Sequence, residues 1–156
     1  MSLRPLRPED ADACVAVIRT LPDFFGYEPG VEQAAMDLRK QAGWVAEADG
    51  AVVGFATWAP RTEATAEITW MAVEGGRRRQ GIGTAVLERL IGDLEARGFR
   101  LALAMTSAGP KPPDAARDTY GPTRAFWRAR GFYPLIELDI WETDFALLQV
   151  RPLTGA

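Results

Sequence analysis

Residues 74–90, EGGRRRQGIGTAVLERL, set Gly75-Gly76, three consecutive arginines and Gly81-x-Gly83 directly before an apolar helical pattern. No other stretch limits the fold so strongly. Upstream, ATAEITWMAV (64–73) has the alternation and β-branched, aromatic makeup of a strand. Downstream, Ile82, Val86, Leu90 and Leu94 recur every fourth residue, with Glu88, Arg89, Asp93 and Glu95 elsewhere and Gly98 as a stop, which predicts a helix over 81–97. A strand, a glycine turn and a helix in this order bring unsatisfied N–H groups into one concavity. The helix dipole adds about half a positive charge there, so the place suits an anion. Glycines let the backbone approach a bulky diphosphate directly, and an arginine can supplement the field.

The remaining elements follow from period and punctuation. SLRPLRP (2–8) reads as a short edge strand, since its prolines exclude a central position. Ala11, Val15, Ile18 and Leu21 stand at helical spacing behind Pro8-Glu9-Asp10, giving a helix over 8–21. PDFFGYEPG (22–30) breaks it and carries three aromatics, either packed over the core or serving as a substrate lid. A second helix is expected over 31–41, with Gly43 ending it. WVAEADGAVVGFATWAP (44–60) reads as two strands joined at Asp49-Gly50, and 64–73 as a third. In that third strand, simple alternation puts Glu67, Thr69, Met71 and Val73 on one face and Ile68, Trp70 and Ala72 on the other. FRLALAM (99–105) predicts a buried strand, TSAGPKPPDAARD (106–118) a long loop, and Gly121-Pro122 the start of a helix to Arg130. Strands are expected over 132–140 and 145–151. The fold class is mixed α/β in one domain over 1–156: a single, mostly antiparallel sheet of six to seven strands flanked by about four helices.

Composition removes several function classes. A net charge of −3 leaves no positive field across the chain for a nucleic-acid backbone, so no nucleic-acid partner is expected. The absence of histidine removes imidazole acid–base chemistry, Ser-His-Asp and Cys-His pairs and His-based metal sites, so no metal is expected. Cys14 stands alone on an apolar helical face, where a buried structural thiol outweighs a nucleophile. No stretch reaches the roughly 18 apolar residues of a membrane span, and the N-terminus has no apolar signal region. A cytoplasmic protein without a membrane partner is the expectation.

Three phosphate loops compete for residues 74–90. A Walker loop needs Gly-Lys-Ser/Thr, which does not occur; a dinucleotide fingerprint wants its glycines directly after the strand and a third one where Val86 stands. Arg78-Arg79-Gln80-Gly81-Ile82-Gly83 instead matches Arg-x-x-Gly-x-Gly and resembles the acyl-CoA diphosphate loop of the GCN5-related N-acetyltransferase (GNAT) superfamily. The strand AEITWMAV before it and TRAFWRARGF (123–132) after it extend the resemblance, the latter being similar to the family's Ala-x-x-Phe-Tyr-x-x-x-Gly-Phe motif.

The resemblance implies a sheet split after the third strand, with acetyl-CoA as cosubstrate lying in the split. Its pantetheine arm would pair with backbone at Met71, Ala72 and Val73, and its diphosphate would sit on N–H groups of Arg79, Gln80, Gly81, Ile82, Gly83 and Thr84 with Arg78 close by. Glu67, in an AEI context similar to that of histone-type members, takes the part of general base toward a cationic amine. Where the family usually has the tyrosine that protonates the departing thiolate, this chain has Trp127, whose indole donates a hydrogen bond but no proton; it is expected to shape the acetyl pocket or the core. Tyr120, near the place of a cofactor-contacting asparagine, is the candidate for cofactor contact or substitute acid. The implied reaction is direct acetyl transfer to a primary amine of a small molecule or peptide, with an inactive acyl-CoA sensor as the alternative. Arg124, Arg128 and Arg130 read as a solvated helix face with the CoA 3′-phosphate as another option, and family habit puts a homodimer contact at Trp141 and the terminal strands.

Overall fold

Asp49 and Gly50 both take positive φ (54° and 78°), the geometry of a two-residue hairpin turn, and so fix the register of the strands on either side. The computed structural model describes residues 1–113 and 117–154. Its strands are β1 (Ser2–Pro5), β2 (Ala42–Ala48), β3 (Ala51–Pro60), β4 (Thr65–Val73), β5 (Leu101–Pro110), β6 (Tyr133–Leu138) and β7 (Asp144–Pro152). They form one sheet in the order β1-β2-β3-β4-β5-β7-β6. All neighbours are antiparallel except β4 and β5, which are parallel. Among the described residues four α-helices flank it: α1 (Ala11–Arg19), α2 (Glu28–Leu38), α3 (Ile82–Ala96) and α4 (Gly121–Ala129).

Each sheet face carries its own apolar cluster. Cys14, Val17 and Ile18 of α1 and Val31, Ala34 and Leu38 of α2 meet Val45, Phe55 and Ala72. On the other face Val86, Leu87, Leu90, Ile91 and Leu94 of α3 meet Ala56, Ile68, Ala104 and, from α4, Trp127. Each fully buried leucine contributes about 1.5–3 kcal/mol, so α3 is the best-anchored helix and a rigid base for whatever its N-terminus holds. Cys14 is fully buried and its thiol is pushed up to about 12, chiefly by burial, so it stays a neutral packing group. Among the described residues no helix is long and apolar enough to cross a membrane.

Four local expectations need correction. The second helix starts at Glu28, three residues early, because Pro29 in its first turn has no N–H to lose there; it ends at Leu38. Gly43 belongs to β2 and does not end the helix: a Cβ on it would meet the Ala56 carbonyl oxygen at 2.2 Å, so its smallness lets β2 and β3 approach. Residues 106–110, expected in a loop, extend β5 and pair with β7 from Asp144 to Leu147, tertiary pairing prevailing over a local Gly-Pro signal. Of the remainder of that loop, residues 114–116 lie outside the described residues.

The fourth correction concerns β4. Thr57 pairs with Trp70 but Trp58 pairs with Ile68, so Thr69 is an extra residue and forms a bulge. Alternation restarts there. Ala66, Ile68, Met71 and Val73 therefore share the face that packs on α3, whereas Trp70 and Ala72 face α1 and α2. Glu67, between Ala66 and Ile68, lies on the α2 side and not with Met71 and Val73.

Candidate active site

The β4–β5 ladder is short: only residues 65–68 pair with 101–104. Beyond it β4 keeps β3 as its sole partner and β5 keeps β7, so the two strands part into a V with an unpaired backbone edge on each side. Two irregularities open it. The Thr69 bulge bends β4, and a register shift between Ser107 and Gly109, with Gly109 at φ 124°, bends β5. Met71, Ala72 and Val73 all lie on the open edge of β4, where an extended ligand can add hydrogen bonds to free N–H and C=O groups.

The glycine turn stands at the mouth of this V. Arg79 (φ 65°) and Gly81 (φ 80°) are both left-handed, which curls the chain just ahead of α3. The first helical bond runs from the Ala85 N–H to the Gly81 carbonyl at 3.0 Å, so the N–H groups of Ile82, Gly83 and Thr84 precede the ladder. A Cβ on Gly83 would lie 3.4 Å from Met71 Cε, 3.5 Å from a Val73 methyl and 3.6 Å from the Phe126 ring, so this first turn is wedged between β4 and α4. The Ile82 side chain is buried beneath it, while Arg78, Arg79 and Gln80 are exposed. The three arginines separate by role. Arg77 is spent on Asp49 (2.8 Å) and Glu74 (3.0 Å), and Arg78 lies 4.8 Å from the Phe24 ring centroid.

Phe24 belongs to the aromatic loop between α1 and α2, which packs over the core, the first of the two readings the sequence allowed. Phe24 and Phe25 pack against the α1–α2 cluster, and Phe24 also meets Tyr120 edge-on at 5.1 Å. The Tyr120 hydroxyl donates to the Phe24 carbonyl at 2.9 Å. Burial, and then the charge of Asp144, push the Tyr120 pKa above its usual 10, so the phenol keeps its proton throughout the neutral range. Arg78, Phe24 and Tyr120 thus join the glycine turn, the loop and the start of α4.

Glu67 stands at the closed end of the V, paired in register with Leu103. Its Oε1 accepts from Arg61 Nε at 2.9 Å, which leaves Oε2 without a partner among the described residues. Next to it on the α2 side is a polar row that sequence reading did not find. Thr69 Oγ1 bonds Thr57 Oγ1 (2.8 Å) and Gln41, and Trp70 Nε1 donates to Asp37 at 2.9 Å. On the β5 side Ser107, buried, donates to Asp144. These residues come together only through the bulge and the β5–β7 register, which leave no mark on local sequence. Trp127 is buried between Phe126 (5.6 Å) and Phe132 (4.9 Å), edge to face, within the α3-side core.

Solved structures of the same architecture cover nearly the whole chain. A GNAT-family protein from Desulfovibrio desulfuricans superposes with a TM-score of 0.83 at 24% identity, over 97% of this chain and 98% of that one. The ribosomal-protein-S18-alanine N-acetyltransferase of Escherichia coli reaches 0.79 at 19% identity, over 99% and 95%. An aminoglycoside 6′-N-acetyltransferase complexed with coenzyme A reaches 0.79 at 17% identity, over 100% and 99%. At these identities the likeness establishes the fold, a split sheet of the acetyl-CoA-binding type. The sequence profile of the Acetyltransferase (GNAT) family matches residues 15–132, which include the strand, the glycine turn and α4. The chain therefore belongs to the acetyltransferase family GNAT.

Proposed function

We propose that this protein transfers an acetyl group from acetyl-CoA to a primary amine of a small molecule or peptide, by direct attack and without a covalent acyl-enzyme. The reading is carried by one juxtaposition: the unpaired edge of β4 at Met71–Val73 runs straight to the free N–H groups at the start of α3. An extended amide-bearing arm ending in a diphosphate matches both halves. The residues fit: Gly81 and Gly83 leave the backbone bare, and Arg78 stands exposed beside them. Acetyl-CoA supplies a thioester carbonyl open to nucleophilic attack.

The chain's own groups divide the rest. Glu67 Oε2, at the closed end of the V, is the acceptor for the ammonium proton that the amine must lose before it attacks. The Tyr120 hydroxyl has one proton, held by the Phe24 carbonyl in this structure, and turns it from that carbonyl to the sulfur as negative charge develops there. A thiolate of pKa about 8.5 is a weaker base than a tyrosinate whose pKa lies above its usual 10, so Tyr120 stabilises it by a hydrogen bond and keeps its own proton. Trp127, at the family's tyrosine position, supports the pocket wall from the core. Asp37 and Asp144 bond only neutral donors, Gln33 and Trp70 for the one and Ser107 for the other, among the described residues; their uncompensated charge favours a cationic acceptor.

Calorimetric titration with acetyl-CoA, followed by a thiol-release assay over a panel of amines, tests the reading. Wild type is expected to bind and turn over, and Glu67→Gln to lose about 10²-fold or more in kcat at neutral pH, with the deficit shrinking as pH rises and the amine deprotonates by itself. Binding without turnover over a broad panel would instead support an acyl-CoA sensor. No binding of any CoA ester would overturn the reading.

A further inference from the structure

α4 turns two different sides to the fold. Phe126 and Trp127 pack toward α3, with Phe126 beside Gly83. Gly121, Arg124, Ala125 and Arg128 recur three and four residues apart and share the other side. Arg130, just past the helix, goes with the first side: its Nε and Nη2 donate to Thr84 Oγ1, at 3.0 and 2.7 Å. Under the second side lies a cavity of about 290 Å³, floored by Leu147 and Gln149 of β7 and by Pro134 of β6. Neither Gly121 nor Ala125 has a side chain long enough to fill it. The volume is near the lower end of the ~300–1,000 Å³ range of small-molecule sites.

Gln149 is out of keeping with this floor. It stands in an inner strand, opposite Ala104 of β5 and Pro134 of β6, and is 1% exposed. Alternation asks for an apolar residue there, as Leu147 is two positions earlier. The Gln149 Nε2 has no acceptor among the described residues, and an amide buried without a partner costs stability that a leucine of similar volume would not. The other polar groups at the cavity are two guanidiniums. Arg124 is engaged by Asp118 and by the Ser107 carbonyl at 2.8 Å, whereas Arg128 has no carboxylate partner among the described residues. Among those residues no acidic side chain lines the cavity. The free groups are thus N–H donors, one on a neutral amide and the others on an uncompensated cation, and they match an anion rich in acceptors. Ala125, Pro134 and Leu147 make the remaining wall apolar, which disfavours a strongly hydrated dianion and suits a hydrocarbon body.

We propose that this cavity is a binding site for a small organic carboxylate, its oxygens between the Gln149 amide and the Arg128 guanidinium and its apolar body on Pro134 and Leu147. The site is separate from the V between β4 and β5, since the body of α4 stands between them. It does not depend on the acetyl-CoA reading.

The test is a titration of the nitrogen-15-labelled protein with benzoate, followed at the side-chain amide signals that Gln149→Leu removes from the proton–nitrogen spectrum. Wild type should bind with a Kd of about 1 mM or lower, within reach of a ligand this small, and the Gln149 signals should shift in step with saturation. Benzamide, the neutral isostere, and inorganic phosphate should each bind about tenfold more weakly. Gln149→Leu should melt no lower than wild type, and it and Arg128→Gln, an exposed position, should each weaken benzoate about tenfold, read from the backbone amides of Ala125 and Leu147. Gln149 signals that stay in place, a titration that does not saturate, or an unchanged Kd in either variant overturns the proposal. Phosphate or benzamide binding as tightly as benzoate overturns the choice of a carboxylate. A Gln149→Leu protein that melts well below wild type also counts against the site, because the amide is then satisfied within the fold, and Arg128→Gln is in that case the deciding variant. Displacement of benzoate by CoA would put the probe in the V and overturn the separation of the two sites.

Discussion

At the scale of single residues, Tyr120 shows how position decides chemistry. Its hydroxyl donates its one proton to the Phe24 carbonyl and burial keeps it protonated, so it serves another acceptor only by exchanging that bond, and it is no base. Tyr120→Phe removes only that donor. The expected result is a fall in kcat of about tenfold or more, with the KM for acetyl-CoA changed less than about twofold. An unchanged kcat would reduce Tyr120 to a strut for the aromatic loop. Glu67 carries a related lesson. A carboxylate in a strand was visible as an oddity in the sequence, but its face was misjudged, because one extra residue at Thr69 reverses the alternation and no local composition marks a bulge.

At the scale of elements, the turn into α3 separates charge from shape. Gly81 is left-handed, so any side chain there strains the turn, and a side chain at Gly83 would start in contact with Met71, Val73 and Phe126, between β4 and α4. Arg77 is already neutralised by Asp49 and Glu74. Gly81→Glu and Gly83→Glu should therefore abolish CoA binding in a calorimetric titration, and Arg77→Ala should shift Kd by less than about twofold. Comparable losses in all three variants would mean that charge, and not the backbone cradle, holds the ligand. The turn and its helix were plainly legible because glycine, arginine and a four-residue apolar repeat are local signals. The second half of β5 was not, since Thr106–Pro110 become a strand only when β7 arrives beside them.

At the scale of the whole molecule, the N-terminal strand is tied to the sheet and to α1 through one ionic cluster. Arg4 donates to both oxygens of Asp10 (2.8 and 2.9 Å) and to Glu47 (2.7 Å), and Asp10 also accepts from the Arg7 N–H at 2.8 Å. The Arg4 guanidinium, first of all, holds the Asp10 carboxyl below its usual 3.8. A lowered carboxyl stabilises the fold fully above the ordinary value, and this contribution is lost as pH falls through the lower value of the folded state. Asp10→Asn should cost about 2 kcal/mol at neutral pH, because it leaves Arg4 partly buried and short of its main partner. In urea unfolding followed with pH, the gap between wild type and variant should narrow below pH 3.8. A gap that stays constant into acid would show that Asp10 acts by packing and not by charge.

What the sequence by itself determined is whatever depends on neighbours in the chain. Apolar period located α1 and α3, Asp49-Gly50 located the β2–β3 hairpin, Arg78 to Gly83 marked the anion turn, and the lack of histidine bounded the chemistry. Tertiary structure alone decided which groups stand together. The bulge at Thr69 turned Glu67 toward α2, the register break at Ser107–Gly109 opened the V, the loop at Phe24 closed on Arg78 and Tyr120, and Arg130 came to rest on Thr84, 46 positions away in the chain. The physical reason is the range of the forces involved. Propensity, capping and turn geometry act over a few residues, whereas register, burial and uncompensated charge are properties of surfaces that meet only after the chain has folded.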